Sequence, residues 1–329
     1  MKSLDKKLRN IKSLDNKRSN FIIADAKDAD MAGGIRGPGF IRKSNGELTN
    51  KPDNFSSYVN KMDEMTKSKL IDVMLMSMSS AEILIKNKLF IDSPVTPAVR
   101  LNDTTCTWGM IRHGEYDKHE SRPFSTAQLE YAIKFVDLGL YSITFNKNID
   151  RDVLMLDKYR EFRNKAEKLG MRHFLEVFNS ATLDLDIKEM GQYVNDCILK
   201  TLAGQFSKEK PLFLKIAYNG PSAMDELASY DPSSLIVGIL GGSKGTTRDC
   251  FELINQAYKY GARVALFGRK INLSEHQISM VDTMRTLIDN NLDSLEGVKI
   301  YHDKLKKLNI KSDRDIKEDS EITEEALKL

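Results

Sequence analysis

The sequence is poor in the residues that mark special environments: it has three cysteines, one tryptophan and eight prolines among 329 residues. Cys106, Cys197 and Cys250 are widely spaced and odd in number, so they form neither a disulfide framework nor a paired metal motif. No apolar run approaches the roughly 20 residues of a membrane span. The first residues are too charged for a signal peptide. We therefore expect a cytoplasmic protein with no membrane partner.

An excess of one charge sign is also absent, because 50 basic and 47 acidic side chains leave a net charge of +3. This near balance disfavours a nucleic-acid-binding protein, which needs a basic face, but it is compatible with a small acidic substrate. No Gly-x-Gly-x-x-Gly motif follows the first predicted strand, which disfavours a doubly wound dinucleotide-binding sheet. We predict no cofactor.

Strand-like apolar runs alternate with amphipathic helical stretches along most of the chain, including a predicted helix at residues 126–138. Eight strand–helix units predict a parallel (β/α)8 TIM barrel, an α/β fold with one domain. We place the barrel at residues 19–309, a lead-in helix at residues 1–18 and a charged, solvated tail at residues 310–329. The predicted strands lie near residues 20–25, 71–76, 97–101, 140–145, 173–178, 212–220, 234–240 and 263–267.

The sixth predicted strand, residues 212–220, carries a single lysine, Lys215, among Leu, Ile and Phe. Burying an ammonium group is costly, so such a lysine tends to lose its proton, and a neutral amine can attack a carbonyl carbon. Active sites of such barrels lie at the carboxyl ends of the strands. The alternative is a lysine whose stem packs on the core while its head group reaches solvent.

Two glycine-containing segments follow the seventh and eighth predicted strands, where phosphate sites of such barrels usually occur. Glycine lets the backbone approach an anion, N–H groups at a helix start point towards it, and an arginine can close the other side. Together with Lys215, this pattern predicts carbon–carbon bond chemistry on a sugar phosphate. We predict substrate or phosphate contacts from Asn102, Asp28, Gly241, Gly242, Ser243, Lys244, Gly268 and Arg269.

Imine chemistry on a lysine also needs groups that move protons. The candidates are Asp25 and Asp28 after the first strand, Glu176 on the fifth strand, and Tyr218 on the same strand as the lysine. The histidines and acidic residues of the long loop at residues 102–125 lack the spacing of a metal motif, so we predict no metal site.

Several segments resemble the archaeal-type class I fructose-bisphosphate aldolases and, more loosely, deoxyribose-phosphate aldolase. Residues 97–105 resemble the third-strand segment of these aldolases, residues 166–176 their fourth helix and fifth strand, and residues 212–220 their sixth strand. Residues 241–244 and 261–271 resemble their two phosphate-binding ends. The resemblance implies a Schiff-base enzyme that acts on sugar phosphates, and it favours a homo-oligomer.

By this resemblance, Lys215 takes the imine-forming role and Asp25 the first-strand acid/base role. Two positions depart from the family. Ala26 follows the aspartate where the family usually has histidine, and Phe178 and Asn179 lie near the position of the family's tyrosine. These departures indicate a divergent member with a different substrate.

We therefore predict a class I, metal-independent aldolase or transaldolase that cleaves or forms a carbon–carbon bond of a phosphorylated ketose or a related sugar. Two alternatives remain open at this point. One is a sugar-phosphate isomerase or epimerase that uses carboxylate pairs. The other is a non-catalytic barrel that binds sugar phosphates.

Overall fold

The computed structural model describes residues 1–329, and its eight main strands close into a parallel barrel. The strands are β1 Ile22–Lys27, β2 Val73–Met76, β3 Thr96–Arg100, β4 Leu138–Thr144, β5 Arg172–Phe178, β6 Leu214–Ile216, β7 Gly238–Leu240 and β8 Val264–Phe267. Neighbours in the chain pair in parallel, and β8 pairs with β1 to close the barrel. The predicted (β/α)8 fold is confirmed.

Helices occupy the connections between the strands and surround the barrel. They are α1 Ser3–Lys12, α2 Ala29–Gly33, α3 Phe55–Ser68, α4 Met78–Lys86, α5 Leu129–Ala132, α6 Ile149–Leu169, α7 Ile187–Ala203, α8 Pro221–Tyr230, α9 Thr247–Lys259, α10 Arg269–Asn272, α11 Gln277–Asn290 and α12 Ser294–Lys307. No helix combines the length and the apolar character that crossing a bilayer requires. Two short antiparallel hairpins lie in the connections after β1 and β3.

Alternate residues of each barrel strand face the interior and the surrounding helices. In β1, Ile22 and Ala24 belong to an interior cluster of 16 buried residues. Leu8 of α1 belongs to the same cluster. Ile23 belongs instead to the cluster of 58 buried residues between the strands and the helices. Even-numbered positions of this strand therefore point inward, and odd-numbered positions point outward.

The helix predicted at residues 126–138 is reduced to the single turn α5, Leu129–Ala132. Part of the apolar spacing that indicated a longer helix comes from Leu138, which starts β4 instead. Hydrophobic spacing over a short window does not separate the end of a helix from the start of a buried strand.

Residues 310–329 were predicted as a solvated tail, but in the structure they pack against the barrel. Asp319 is 2% exposed and Leu327 is 4% exposed. Asp319 accepts a hydrogen bond from the backbone N–H of Thr247, at the start of α9, at 2.8 Å. The charged side chains that suggested a solvated segment include carboxylates that accept hydrogen bonds from donors of the barrel.

Candidate active site

Lys215 lies on β6 and faces the barrel interior at the carboxyl end of the strands. Its Nζ atom is 2.6 Å from Oε1 of Glu176, its register partner on β5. Lys215 is 5% exposed and Glu176 is 1% exposed. Lys215 lines a cavity of about 410 Å³ in the mouth of the barrel. The structure therefore contradicts the alternative in which the lysine head group reaches bulk solvent.

Arg100, the last residue of β3, connects the charged side chains of this site. Its Nε donates to Oδ2 of Asp28 at 2.6 Å, and its Nη2 donates to Oε2 of Glu176 at 2.9 Å. Its Nη1 donates to Oγ of Ser142 at 2.7 Å and lies 2.9 Å from Oδ1 of Asp103. One buried network thus joins residues of β3, β4 and β5 to the segments that follow β1 and β3.

The charges of the network set the protonation of its carboxyl groups. Burial alone would raise the pKa of Asp28 and of Glu176, but the cations Arg100 and Lys215 together hold both pKa values below their ordinary range. For Asp103, burial outweighs the attraction of Arg100 and raises the pKa to about 7. The site therefore holds two ionised carboxylates and one carboxyl group that gains or loses a proton near neutral pH.

The loop after β7 and the turn after β8 form another wall of the same cavity, lined by Gly241, Gly242, Gly268 and Arg269. Gly242 has a φ of 62°, in the left-handed region that favours glycine. The backbone N–H groups of residues 242–245 donate to no protein acceptor. Arg269 forms no ion pair, unlike the two other cations that line the cavity. This wall offers unpaired donors to an anion.

The start of α9 does not supply the donors that the sequence analysis assigned to it. The N–H groups of Thr246, Thr247 and Asp249 already have partners, because Thr246 and Asp249 form a capping box and Asp319 accepts from Thr247. A run of four unpaired N–H groups lies just before the helix, at residues 242–245 of the loop. The predicted helix-start contribution is therefore replaced by loop amides.

Two predicted catalytic residues, Asp25 and Tyr218, lie outside the cavity. Asp25 faces the helix layer, where its Oδ1 accepts a hydrogen bond from Lys27 at 3.1 Å, and both residues are fully buried. Burial raises the pKa of Asp25 despite this cation. The Tyr218 hydroxyl donates to Oε1 of Gln256 on α9 at 2.9 Å. The physical reason is strand alternation, since Tyr218 follows Lys215 by three residues and so points to the opposite face.

Three residues that were predicted to contact the substrate have other partners in the structure. The side chain of Asn102 exchanges hydrogen bonds with the backbone N–H and C=O of Ser142, which ties the end of β3 to β4. Lys244 lines a separate cavity of about 430 Å³ beyond the β7 loop. Ser243 and Lys244 both contact acidic residues of the segment 310–329. Their side chains therefore do not reach the cavity in the barrel mouth.

Arg100, Ser142 and Cys106 were not predicted to have a catalytic or binding role, although Arg100 and Cys106 line the cavity. The signal for the first two is their position in the strand. Arg100 lies two residues after Ala98, and Ser142 lies two residues after Leu140, and both apolar residues belong to the interior cluster. A polar residue that continues an inward-facing apolar set at the carboxyl end of a strand is a candidate site residue.

At the level of sequence, no protein-family model matches the chain, and neither does any curated protein. Solved structures do resemble it. A Schiff-base-forming fructose-1,6-bisphosphate aldolase matches with a TM-score of 0.62 and 15% identity, over 87% of this chain and 99% of that chain. An archaeal fructose-1,6-bisphosphate aldolase, with its catalytic lysine bound to the carbinolamine intermediate, matches with a TM-score of 0.59 and 15% identity over the same shares.

A third similar structure is the fructose-bisphosphate aldolase from Slackia heliotrinireducens, with a TM-score of 0.62 and 10% identity over 92% of each chain. At such low identities, the similarity establishes the shared (β/α)8 barrel. The resemblance to class I aldolases that the sequence suggested is confirmed at the level of the fold.

Proposed function

We propose that the protein is a class I aldolase, a carbon–carbon lyase that forms an imine between Lys215 and a phosphorylated ketose. The observation that carries the proposal is the place of the Lys215 amine. It lies in the barrel mouth, 2.6 Å from the carboxylate of Glu176, in the same cavity as Arg269 and the glycines of the β7 loop. Two proteins of the same fold are described as Schiff-base aldolases or as carrying a carbinolamine on the catalytic lysine, which supports the assignment.

Imine formation follows from the contact between Lys215 and Glu176. Glu176 accepts a proton from the Lys215 ammonium, and the free amine attacks the ketone carbon to give a carbinolamine. A nearby acid then protonates the carbinolamine hydroxyl, which leaves as water and yields the iminium. Glu176 lines the cavity and carries the proton taken from Lys215, so it is the candidate for this acid. Asp103 does not line the cavity, and its contact within the network is with Arg100.

Bond cleavage uses the iminium as an electron sink. An ionised carboxylate removes the proton from the hydroxyl on C4, the C3–C4 bond breaks, and its electron pair moves to the iminium to form an enamine while the aldehyde departs. Asp28 and Glu176 line the cavity and are held in the ionised state, so they are the candidates for this base. Protonation of the enamine and hydrolysis then release the ketone and restore Lys215.

The phosphate group belongs at the wall formed by the β7 loop and Arg269. Arg100 and Lys215 are already compensated by Asp28 and Glu176, whereas Arg269 has no anionic partner. A guanidinium next to unpaired backbone N–H groups suits a phosphate oxyanion. We therefore assign phosphate binding to Gly242, Gly268 and Arg269 and leave out the side chains of Ser243 and Lys244.

Borohydride trapping tests the proposal directly. The protein is incubated with dihydroxyacetone phosphate and with a panel of ketose mono- and bisphosphates, with and without sodium borohydride. Reduction of an imine is expected to leave a stable mass adduct that peptide mapping locates on Lys215. The control reaction contains borohydride without a ketone. Absence of an adduct on Lys215 with every phosphorylated ketone would overturn the proposal.

A pair of aspartate variants tests which first-strand carboxyl group serves the site. Asp25→Asn is expected to leave adduct formation per folded molecule unchanged, because Asp25 faces the helices. It should lower the free energy of unfolding by up to about 3–5 kcal/mol, the cost of breaking a buried ion pair. Asp28→Asn should instead reduce turnover by roughly 10²–10⁴-fold, the contribution of a general acid or base. Urea unfolding and turnover assays measure both effects. Loss of turnover in Asp25→Asn alone would contradict this assignment.

A further inference from the structure

Residues 310–329 hold the β7 loop from the side away from the cavity. Arg314 Nη1 donates to the carbonyl oxygen of Gly245 at 2.9 Å, and Lys244 is ion-paired with an aspartate of this segment. The hydroxyl of Ser243 donates to a glutamate of the same segment at 3.4 Å. Three consecutive loop residues are thus held through their side chains or a carbonyl group, while their backbone N–H groups stay unpaired.

The glutamate that contacts Ser243 is Glu324, and it reaches both halves of the proposed anion site. Its Oε1 also accepts a hydrogen bond from Nζ of Lys270 at 2.7 Å. The side chain of Lys270 is fully buried, and Lys270 directly follows Arg269 in the chain. A single carboxylate therefore connects the loop after β7 with the turn after β8.

The backbone of Glu324 is itself fixed to the barrel. Asp249 on α9 accepts hydrogen bonds from the N–H of Thr323 at 2.8 Å and from the N–H of Glu324 at 3.2 Å, and also from the Thr323 hydroxyl. Leu327 is buried, and its carbonyl oxygen accepts from Gln256 at 3.0 Å. The position of Glu324 is therefore fixed by contacts of its own backbone and of the residues before and after it in the chain.

Space around the contact is limited. A Cβ atom on Gly245 would lie 3.1 Å from Oε1 of Glu324 and 2.7 Å from Oδ2 of Asp249, and the φ of Gly245 is 60°. The close approach of loop and segment thus depends on glycine at this position. A larger residue at position 245 would push the loop away from Asp249 and Glu324.

We infer that residues 310–329 contribute to the function of the anion site. Glu324 is the positioning residue, which aligns the β7 loop and Arg269 around one phosphate group. Glu324 acts through Ser243 and Lys270 and does not line the cavity. The inference rests on the proposed function, because that function identifies the wall of the cavity as a phosphate site.

The test compares a phosphorylated with an unphosphorylated ketone. For the wild type and Glu324→Gln, we measure the concentrations of dihydroxyacetone phosphate and of dihydroxyacetone that give half-maximal borohydride trapping on Lys215. Glutamine keeps the size and one acceptor oxygen but removes the charge. We expect the half-maximal concentration of the phosphorylated ketone to rise about tenfold, the effect of misplacing one charge-assisted hydrogen bond. The maximal adduct yield and the value for dihydroxyacetone should not change.

Glu325→Gln is the matched control, because the Glu325 side chain is 72% exposed and pairs only with Lys328. It should leave both half-maximal concentrations unchanged. Ser243→Ala provides a second variant that removes only the loop contact and keeps the pair between Glu324 and Lys270. We expect it to raise the value for the phosphorylated ketone about threefold, less than the effect of a full charge-assisted hydrogen bond.

The outcomes separate the two proposals. No adduct in the wild type would overturn the aldolase function itself. An adduct in the wild type, with the same half-maximal concentration of the phosphorylated ketone in Glu324→Gln, would overturn the positioning role. Equal losses for both ketones would show a general structural role and would also overturn it. If a thermal melt shows that Glu324→Gln is unfolded, an unchanged value in Ser243→Ala decides against the inference.

Discussion

Replacing Lys215 with methionine is expected to abolish turnover, with a fall in kcat of roughly 10⁴- to 10⁶-fold, the scale on which an enzyme loses its covalent nucleophile. The fold should persist, because Glu176 keeps its hydrogen bonds from Arg100 at 2.9 Å and from Ser142 at 2.7 Å. Turnover of a phosphorylated ketose, borohydride trapping and a thermal melt measure the three parts of this expectation.

Lys147→Met is the matched control for this variant. Lys147 lies at the same end of the barrel, just after β4, but it is exposed and does not line the cavity. The control should keep both the adduct and the turnover. Measurable turnover in Lys215→Met would contradict the aldolase mechanism and favour the isomerase or epimerase alternative, in which Asp28 and Glu176 would exchange protons with the substrate.

Arg100→Met is expected to cause a large loss of stability, about 3–5 kcal/mol in the free energy of unfolding at pH 7. Arg100 bonds Asp28 and Glu176 and lies 2.9 Å from Asp103, and all four residues are buried. Methionine can fill much of the same space but provides no charge, so three buried carboxyl groups lose a cation. Urea unfolding, followed by circular dichroism, measures the change.

The loss of stability in Arg100→Met should be larger at pH 7 than at lower pH. In the wild type, the folded pKa values of Asp28 and Glu176 lie below their ordinary values, so their contribution to stability is present above about pH 4 and is lost on further acidification. In the variant, the cation that most lowers the pKa of Asp28 is lost while burial still raises it, so we expect a higher pKa than in the wild type and a folded state that protonation of Asp28 favours. The difference between variant and wild type should therefore shrink from pH 7 to pH 5.

Arg172→Met is the control for this experiment. Arg172 also forms two ion pairs with carboxylates, but its side chain is 33% exposed. Its replacement should cost only about 0–1 kcal/mol, with little dependence on pH. An equal loss in both arginine variants would argue against a special role for the buried network.

The barrel could be predicted from the sequence because many local signals independently mark where its helices and strands begin and end. The helix α6 ends at Gly170, which has a φ of 73° as a helix-ending glycine requires, and α7 begins with a capping box formed by Asp186 and Glu189. The failure at residues 126–138 came where the helix is only one turn long and these signals are missing. The positions of Lys215 and Glu176 in the barrel mouth could be predicted because each is a charged residue within an apolar strand.

The other site residues depended on information that a single strand does not contain. Both faces of a barrel strand are buried, so the sequence of β1 shows no alternation that separates inward from outward positions, and Asp25 was preferred over Asp28 as the acid/base residue. The contacts of Ser243 and Lys244 with residues 310–329 join positions about 70 to 80 residues apart in the chain. Periodicity and local composition carry no signal for such contacts.

The ion pair between Lys215 and Glu176 places a negative charge where the proposed iminium intermediate would form. In the proposed mechanism, the Lys215 ammonium is replaced by an iminium that carries the same charge at nearly the same point, beside Oε1 of Glu176. The surroundings are therefore already polarised for the intermediate and need little rearrangement as it forms. A neutral adduct would instead leave the pocket with more negative than positive charge. The proposed pocket therefore favours the cationic iminium over a neutral adduct.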